Sequence, residues 1–135
     1  MSAGYSGKPL AQKLGIKPDT VWVVHDAPAD YARLLGALPA GVSIVARAPR
    51  SPRYMHIFVT EQRVLADYLA RYRPRLQADG FLWVSWPKKS AKLPTDITED
   101  TIRRLALPLG FVDIKVCAVS EIWSGLKLVI RKDAR

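Results

Sequence analysis

Three short runs constrain this chain more than anything else in it. Residues 20–25 (TVWVVH), 55–60 (MHIFVT) and 80–86 (GFLWVSW) are almost continuously apolar, β-branched or aromatic. Runs this short, with no polar face, suit strands covered on both sides, as in a parallel sheet. A shorter candidate, residues 42–46, follows the turn signal Pro39-Ala40-Gly41. Helical patterns fall between these runs. Tyr31, Leu34, Leu35 and Leu38 form one apolar stripe behind Pro28, a residue suited to a first helical turn. After Thr60, the residues Val64, Leu65, Tyr68, Leu69, Tyr72 and Leu76 repeat at helical spacing, and Pro74 is expected to kink or end that helix. A third helix opens at Thr98, an N-cap followed by Glu99 and Asp100. It is expected to bury Ile102, Leu105, Ala106 and Leu109 before stopping near Gly110.

The last segment changes character. From Phe111 onward, Val112, Ile114, Val116 and Ala118 alternate with Asp113, Lys115 and Cys117, which predicts a strand with one wetter face. Residues 126–131 repeat the alternation. The six residues between them, 120–125, are too few for a helical crossover, so the two strands form an antiparallel pair at a sheet edge. Asp113 or Lys115 is then expected to face Lys127 or Arg131. The result is an α/β fold, a three-layer sandwich with a mostly parallel sheet and a C-terminal antiparallel hairpin.

With 135 residues, 49% of them hydrophobic, the chain is long enough for one core without staples. We read residues 1–19 as an N-terminal arm with a short helix at 10–14, and 20–135 as a single domain. One cysteine, Cys117, excludes a disulfide scaffold and a zinc ribbon. No stretch has signal-peptide character or the roughly 20 apolar residues of a membrane span, so a cytoplasmic protein with no membrane contact is expected. The net charge of +9 favours anionic partners. The basic residues fall in separate clusters, which suit either a nucleic-acid surface or a solvated one.

This architecture resembles the Rossmann-like methyltransferases, whose sheets end in such a hairpin. The resemblance implies adenosylmethionine as cofactor, cradled by a glycine-rich turn after the first strand and an acidic residue ending the second. Here the first strand runs into His25-Asp26-Ala27-Pro28-Ala29-Asp30, without glycine, and the second ends near Arg47. On that ground adenosylmethionine is not expected. The eight residues 47–54 between the second and third strands are also short for a parallel crossover. They form either an extended loop or a connection to an irregular or antiparallel strand.

A closer likeness lies in local strings. YSGKPLAQKLGIK at 5–17, LWVSWPKK at 82–89, TDITED at 95–100 and KVCAVSEIWSGLKLV at 115–129 resemble a family of small bacterial proteins, domain of unknown function family 3052. The resemblance implies a cytoplasmic bacterial protein without an assigned activity. It marks Tyr5, Lys8, Trp86, Lys88, Lys89, Thr95, Asp96, Trp123 and Lys127 as signature positions.

In an open α/β sheet, ligands bind beyond the carboxyl ends of the parallel strands. Trp86-Pro87-Lys88-Lys89 follows such a strand, so Lys88 and Lys89 are expected to offer point charges, Trp86 a stacking surface, and Thr95 and Asp96 polar groups beside the third helix. Tyr5 and Lys8 would reach the same ligand from the arm. Ile122 and Trp123, in the hairpin loop, are a candidate interface, including one in a homodimer. His25 beside Asp26 is a candidate base without a partner nucleophile, and His56 reads as a core histidine. No catalytic residue and no metal site is assigned. The expectation is a non-catalytic binding or regulatory protein for an anionic ligand; the alternatives are a divergent adenosylmethionine-dependent methyltransferase and a nucleic-acid-binding or protein-interaction module.

Overall fold

The computed structural model of the protein describes residues 8–135. Strands β1 (Val21–His25), β2 (Ser43–Val45), β3 (Tyr54–Phe58) and β4 (Phe81–Pro87) are parallel, and β5 (Phe111–Ala118) and β6 (Trp123–Ile130) return as an antiparallel hairpin. They form one six-stranded sheet in the order β2-β1-β3-β4-β6-β5. Helices α1 (Leu10–Leu14) and α2 (Tyr31–Leu35) pack on one face, α3 (Gln62–Tyr72) and α4 (Glu99–Ala106) on the other. This is the three-layer α/β sandwich that the runs and their spacing predict. Among the described residues no helix is long and apolar enough to cross a membrane.

All seven residues of β4 are buried. Leu82, Val84 and Trp86 face α3 and α4, while Phe81 and Trp83 face α1 and α2. Each large side chain removed from water contributes about 1.5–3 kcal/mol, which is why this strand has no polar face. The α1 layer is fastened to it: the Trp83 indole N–H donates to the Leu14 carbonyl at 2.9 Å.

The helix ends follow local chemistry. Thr98 caps α4, accepting from the Thr101 amide at 3.2 Å, and Gly110 at φ +97° closes the turn after it. Two expected core positions are not core. Helix α2 stops at Gly36, so Leu38 is 39% exposed, and Leu109 in the turn before Gly110 is 37% exposed.

The short crossover from β2 to β3 is an extended loop between parallel strands. A loop has no internal partners for its carbonyls, so the segment after α3 provides them. The Arg75 guanidinium donates to the Arg50 and Pro49 carbonyls, both at 2.9 Å. Gln77 donates its side-chain amide to Ser51 O at 3.0 Å and its backbone N–H to Pro52 O at 2.9 Å.

Strand β5 departs from simple alternation. Asp113 pairs with Leu128 and Lys115 with Lys127, leaving Ile114 as a bulge. A bulge shifts the period by one, so Ile114 and Val116 are 56% and 51% exposed rather than core. The expected cross-strand ion pairs do not form. Asp113 instead accepts from Arg103 of α4 at 2.9 Å, and Lys115 sits opposite another lysine.

Replacing Arg75 with Ala removes both guanidinium bonds that hold the crossover. Hydrogen bonds to a charged group contribute about 1.5–3 kcal/mol. The expected outcome is a Tm several degrees lower, with faster amide exchange concentrated in residues 46–53; Arg75→Lys recovers little, since an ammonium cannot reproduce the planar fork.

Candidate functional site

Neighbours β2 and β3 leave β1 in opposite directions, so the crevice beyond the carboxyl ends of β1 and β3 is the topological switch point of the sheet. The chain turns sharply there. Asp26 follows β1 with φ +59°, in the left-handed region. Asp is one of the few residues beside glycine that adopts this region readily, so the turn forms without a glycine. Beyond it, Ala27 and Ala29 are exposed, and the amides of Ala27, Ala29 and Asp30 donate to no other described residue. Small side chains and open amides leave the backbone accessible to a ligand.

Two tyrosines of α3 brace this turn. The Tyr68 hydroxyl donates to Asp26 at 2.6 Å, and the His25 ring stacks 5.3 Å from Tyr68 with its Nε2 2.9 Å from the Tyr72 hydroxyl. Burial, and then the Asp26 carboxylate beside it, raise the Tyr68 pKa to about 12. Burial also lowers the pKa of His25 against the opposing pull of Asp26, which favours the neutral ring. Sequence reasoning missed both tyrosines, although their i, i+4 spacing places them on one helix face.

A buried polar chain anchors the far side of the turn. Tyr31, the first residue of α2, accepts from the Trp22 indole N–H at 2.9 Å. Its own proton has no other acceptor among the described residues, so it donates to His56 Nδ1 at 2.8 Å. His56 Nε2–H then donates to Ser85 at 2.7 Å. Ser85 and His56 are fully buried, so this serine-histidine contact is a structural tie across β1, β3 and β4.

At the end of β4 a cleft of about 400 Å³ is lined by Trp86, Lys88, Lys89, Leu93, Thr95 and Thr98. Of the expected site residues, the fold brings Trp86, Lys88, Lys89 and Thr95 together here. No carboxylate among the described residues pairs with either lysine. Thr95 and Asp96 hold the cleft wall. Thr95 donates to the Thr60 carbonyl at 2.7 Å, and Asp96 accepts from the Gln62 amide at 2.7 Å, tying this loop to the end of β3 and the start of α3. The β5–β6 turn reaches the same rim, where the Lys88 amide donates to Ile122 O at 2.8 Å. Ile122 is 44% exposed, but Trp123 is not part of an exposed patch. It is the first residue of β6, half-buried with its ring edge-on to Phe58 at 5.1 Å. Lys8 is exposed just before α1, and Tyr5 lies outside the described residues. A smaller cavity, about 270 Å³, lies at the opposite end of the strands beneath the crossover loop, against Asp19, Val21, Pro49 and Tyr54.

No family model and no curated protein sequence matches the chain. Solved structures do. A SAM dependent methyltransferase from Aquifex aeolicus superposes with a TM-score of 0.62 at 9% identity, covering 90% of this chain and 87% of that one. The ribosomal protein L11 methylase from Lactobacillus delbrueckii subsp. bulgaricus gives 0.54 at 13% identity, over 90% and 75% of the two chains. LepI in complex with SAM gives 0.53 at 11% identity, with 90% of this chain covering 39% of that one. The fold is therefore the Rossmann-like methyltransferase fold. These neighbours correct two expectations, that of a non-catalytic binding or regulatory protein and that of adenosylmethionine as an unlikely cofactor. The physical reason lies at Asp26. A missing glycine counts against such a turn only if no other residue can make it, and Asp26 takes the left-handed conformation that glycine otherwise supplies.

The buried chain has a pH signature. Complete burial pushes the His56 pKa down to about 3. Between pH 6.5 and that value the unfolded chain binds a proton at this ring that the native state does not. Stability is therefore fully present above pH 6.5 and falls as pH drops through the window, by up to about 1.4 kcal/mol per pH unit. Denaturant titrations at pH 7 and pH 5 measure the loss, and His56→Gln is expected to show most of this slope removed.

Proposed function

We propose that this chain is an adenosylmethionine-dependent methyltransferase domain, with the cofactor over the carboxyl ends of β1 and β3 and the methyl acceptor in the cleft at the end of β4. The observation that carries the reading is the left-handed turn at Asp26, placed at the switch point of a sheet with this strand order. The similar structures that bear methyltransferase names, and the one solved with SAM, support it.

The residues present fit the cofactor. The amides of Ala27 and Ala29 suit its amino-acid end, and the Asp26 and Asp30 carboxylates suit its hydroxyl groups. Arg47 follows β2 where an acidic residue is usual, so the β1–α2 turn takes over that task. Bound there, adenosylmethionine supplies an electrophilic methyl group. This chain's own residues hold and orient. Tyr68 fixes Asp26 at 2.6 Å, and the Tyr31–His56–Ser85 chain holds the other end of the turn to the sheet centre. Two strand spacings, about 10 Å, separate the end of β1 from that of β4, so the turn at Asp26 and the cleft at Trp86 share one rim of the sheet. Trp86, Lys88 and Lys89 form the acceptor cleft. We read residues 20–135 as the catalytic domain of a cytoplasmic protein, with Lys8, exposed just before α1, belonging to the arm at 1–19. The strings WPKK and WSGLKLV support membership of family 3052.

Titration calorimetry with adenosylhomocysteine tests the cofactor site. Binding is expected, with a stabilisation of about 2.7 kcal/mol at a ligand concentration a hundredfold above Kd. Ala29→Trp, at an exposed position, is expected to weaken binding at least tenfold with Tm unchanged. Absence of binding, or wild-type affinity in the variant, refutes the reading.

A further inference from the structure

The sheet face beside α1 carries a charge pattern that stability does not explain. Among the described residues, Lys17, Lys115 and Lys127 take part in no ion pair. Lys115 and Lys127 nevertheless stand directly opposite each other on β5 and β6. Like charges in that register are destabilising. Lys17, in the loop after α1, adds a third positive charge acting on Lys127.

Two structural explanations cover only part of the pattern. Lysine on an edge strand discourages strand-to-strand aggregation, and Lys115 lies on the edge strand β5. Its ammonium also donates to the Lys13 carbonyl at 3.1 Å, in the last turn of α1. Neither account reaches Lys127. Strand β6 lies between β4 and β5, so it is not an edge. The Lys127 ammonium has no hydrogen-bond acceptor among the described residues. It sits 4.3 Å from the centre of the Phe81 ring and close to Gly15, which has no side chain to cover it. Burial and the neighbouring Lys115 and Lys17 all penalise its charge. The Phe81 ring offsets part of that penalty as a cation–π partner but carries no counter-charge; where like charges face each other without an anion between them, a ligand that supplies one is the physical explanation.

The geometry points to a phosphate-binding patch made by Lys115 and Lys127 on the α1 face of the hairpin, whose ligand is a phosphate group of a free oligophosphate or of a nucleic-acid backbone. Lysine suits this role as a point charge without directional demands. The patch is on the sheet face beside α1, whereas the cleft of Trp86 and Lys88 opens beside α4. It is therefore independent of the methyl-transfer reading.

Two probes distinguish the sources: inorganic pyrophosphate by calorimetry and a labelled twelve-nucleotide single-stranded RNA by anisotropy. Lys127→Met keeps the stem over Phe81 and removes the charge; Lys115→Gln removes its partner; Lys132→Gln is the control. At least one probe is expected to bind, with affinity at least tenfold weaker in Lys127→Met and Lys115→Gln and unchanged in the control. Tm of Lys127→Met is expected to equal or exceed that of the wild type, since a like-charge contact is relieved. Binding of pyrophosphate identifies a free oligophosphate. Binding of RNA alone, with a salt slope that drops by about 0.7 per lysine removed, identifies a backbone. Failure of both probes, or wild-type affinity in both variants with a lowered Tm, overturns the patch and leaves the lysines as structural.

Discussion

Strand β4 sets the terms for the rest of the molecule. Its seven residues are buried on both faces, so each backbone N–H and C=O must be satisfied by a neighbouring strand and each side chain by a helical layer. Parallel β3 on one side and antiparallel β6 on the other meet the first demand. The two core clusters meet the second. The polar side chain in the strand, Ser85, is tolerated because His56 completes its hydrogen bond, and His56 is tolerated because Tyr31 completes its own. One buried chain therefore connects the strand at the centre of the sheet to the start of α2, just beyond the turn at the switch point.

The same constraint explains how a short chain keeps a layered fold. The connection from β2 to β3 has no room for a helix, and an unassisted loop would leave carbonyls bare. Arg75 and Gln77 do from outside what a helix does from within. The cavity beneath that loop lies at the amino ends of the strands, so the abbreviation leaves the carboxyl rim intact. At that rim, the turn after β1 uses aspartate where glycine would serve. The substitution adds a carboxylate to the crevice, which Tyr68 then orients.

Charge is divided between two kinds of work. Arginines tie elements and loops together: Arg103 bridges Glu99 and Asp100 of α4 and Asp113 of β5, and Arg75 holds the crossover. Lys88 and Lys89 at the β4 cleft, and Lys115 and Lys127 on the α1 face of the hairpin, form no ion pair among the described residues. The arginine fork suits fixed, planar partners, whereas a lysine ammonium remains available to a mobile anion.

Much of the fold was legible in the residues. Three two-sided apolar runs required a parallel sheet, the spacing of Leu65, Leu69 and Tyr72 required a helix over it, and six residues between two alternating segments required a hairpin. These features follow from burial and periodicity, which are local. The cleft residues Trp86, Lys88, Lys89 and Thr95 were also legible, because a strand end announces the rim. What local pattern could not decide was set by contacts between distant residues. The bulge at Ile114 reversed the facing of Val116, and it depends on β5 pairing with β6 and on Arg103 drawing Asp113 toward α4. The conformation of Asp26 depends on the chain turning at the switch point against Tyr68, forty-two residues away. Sequence alone determined which segments must be buried; only the tertiary structure decided which backbone conformation each turn adopts, because that choice is made by partners that periodicity does not reveal.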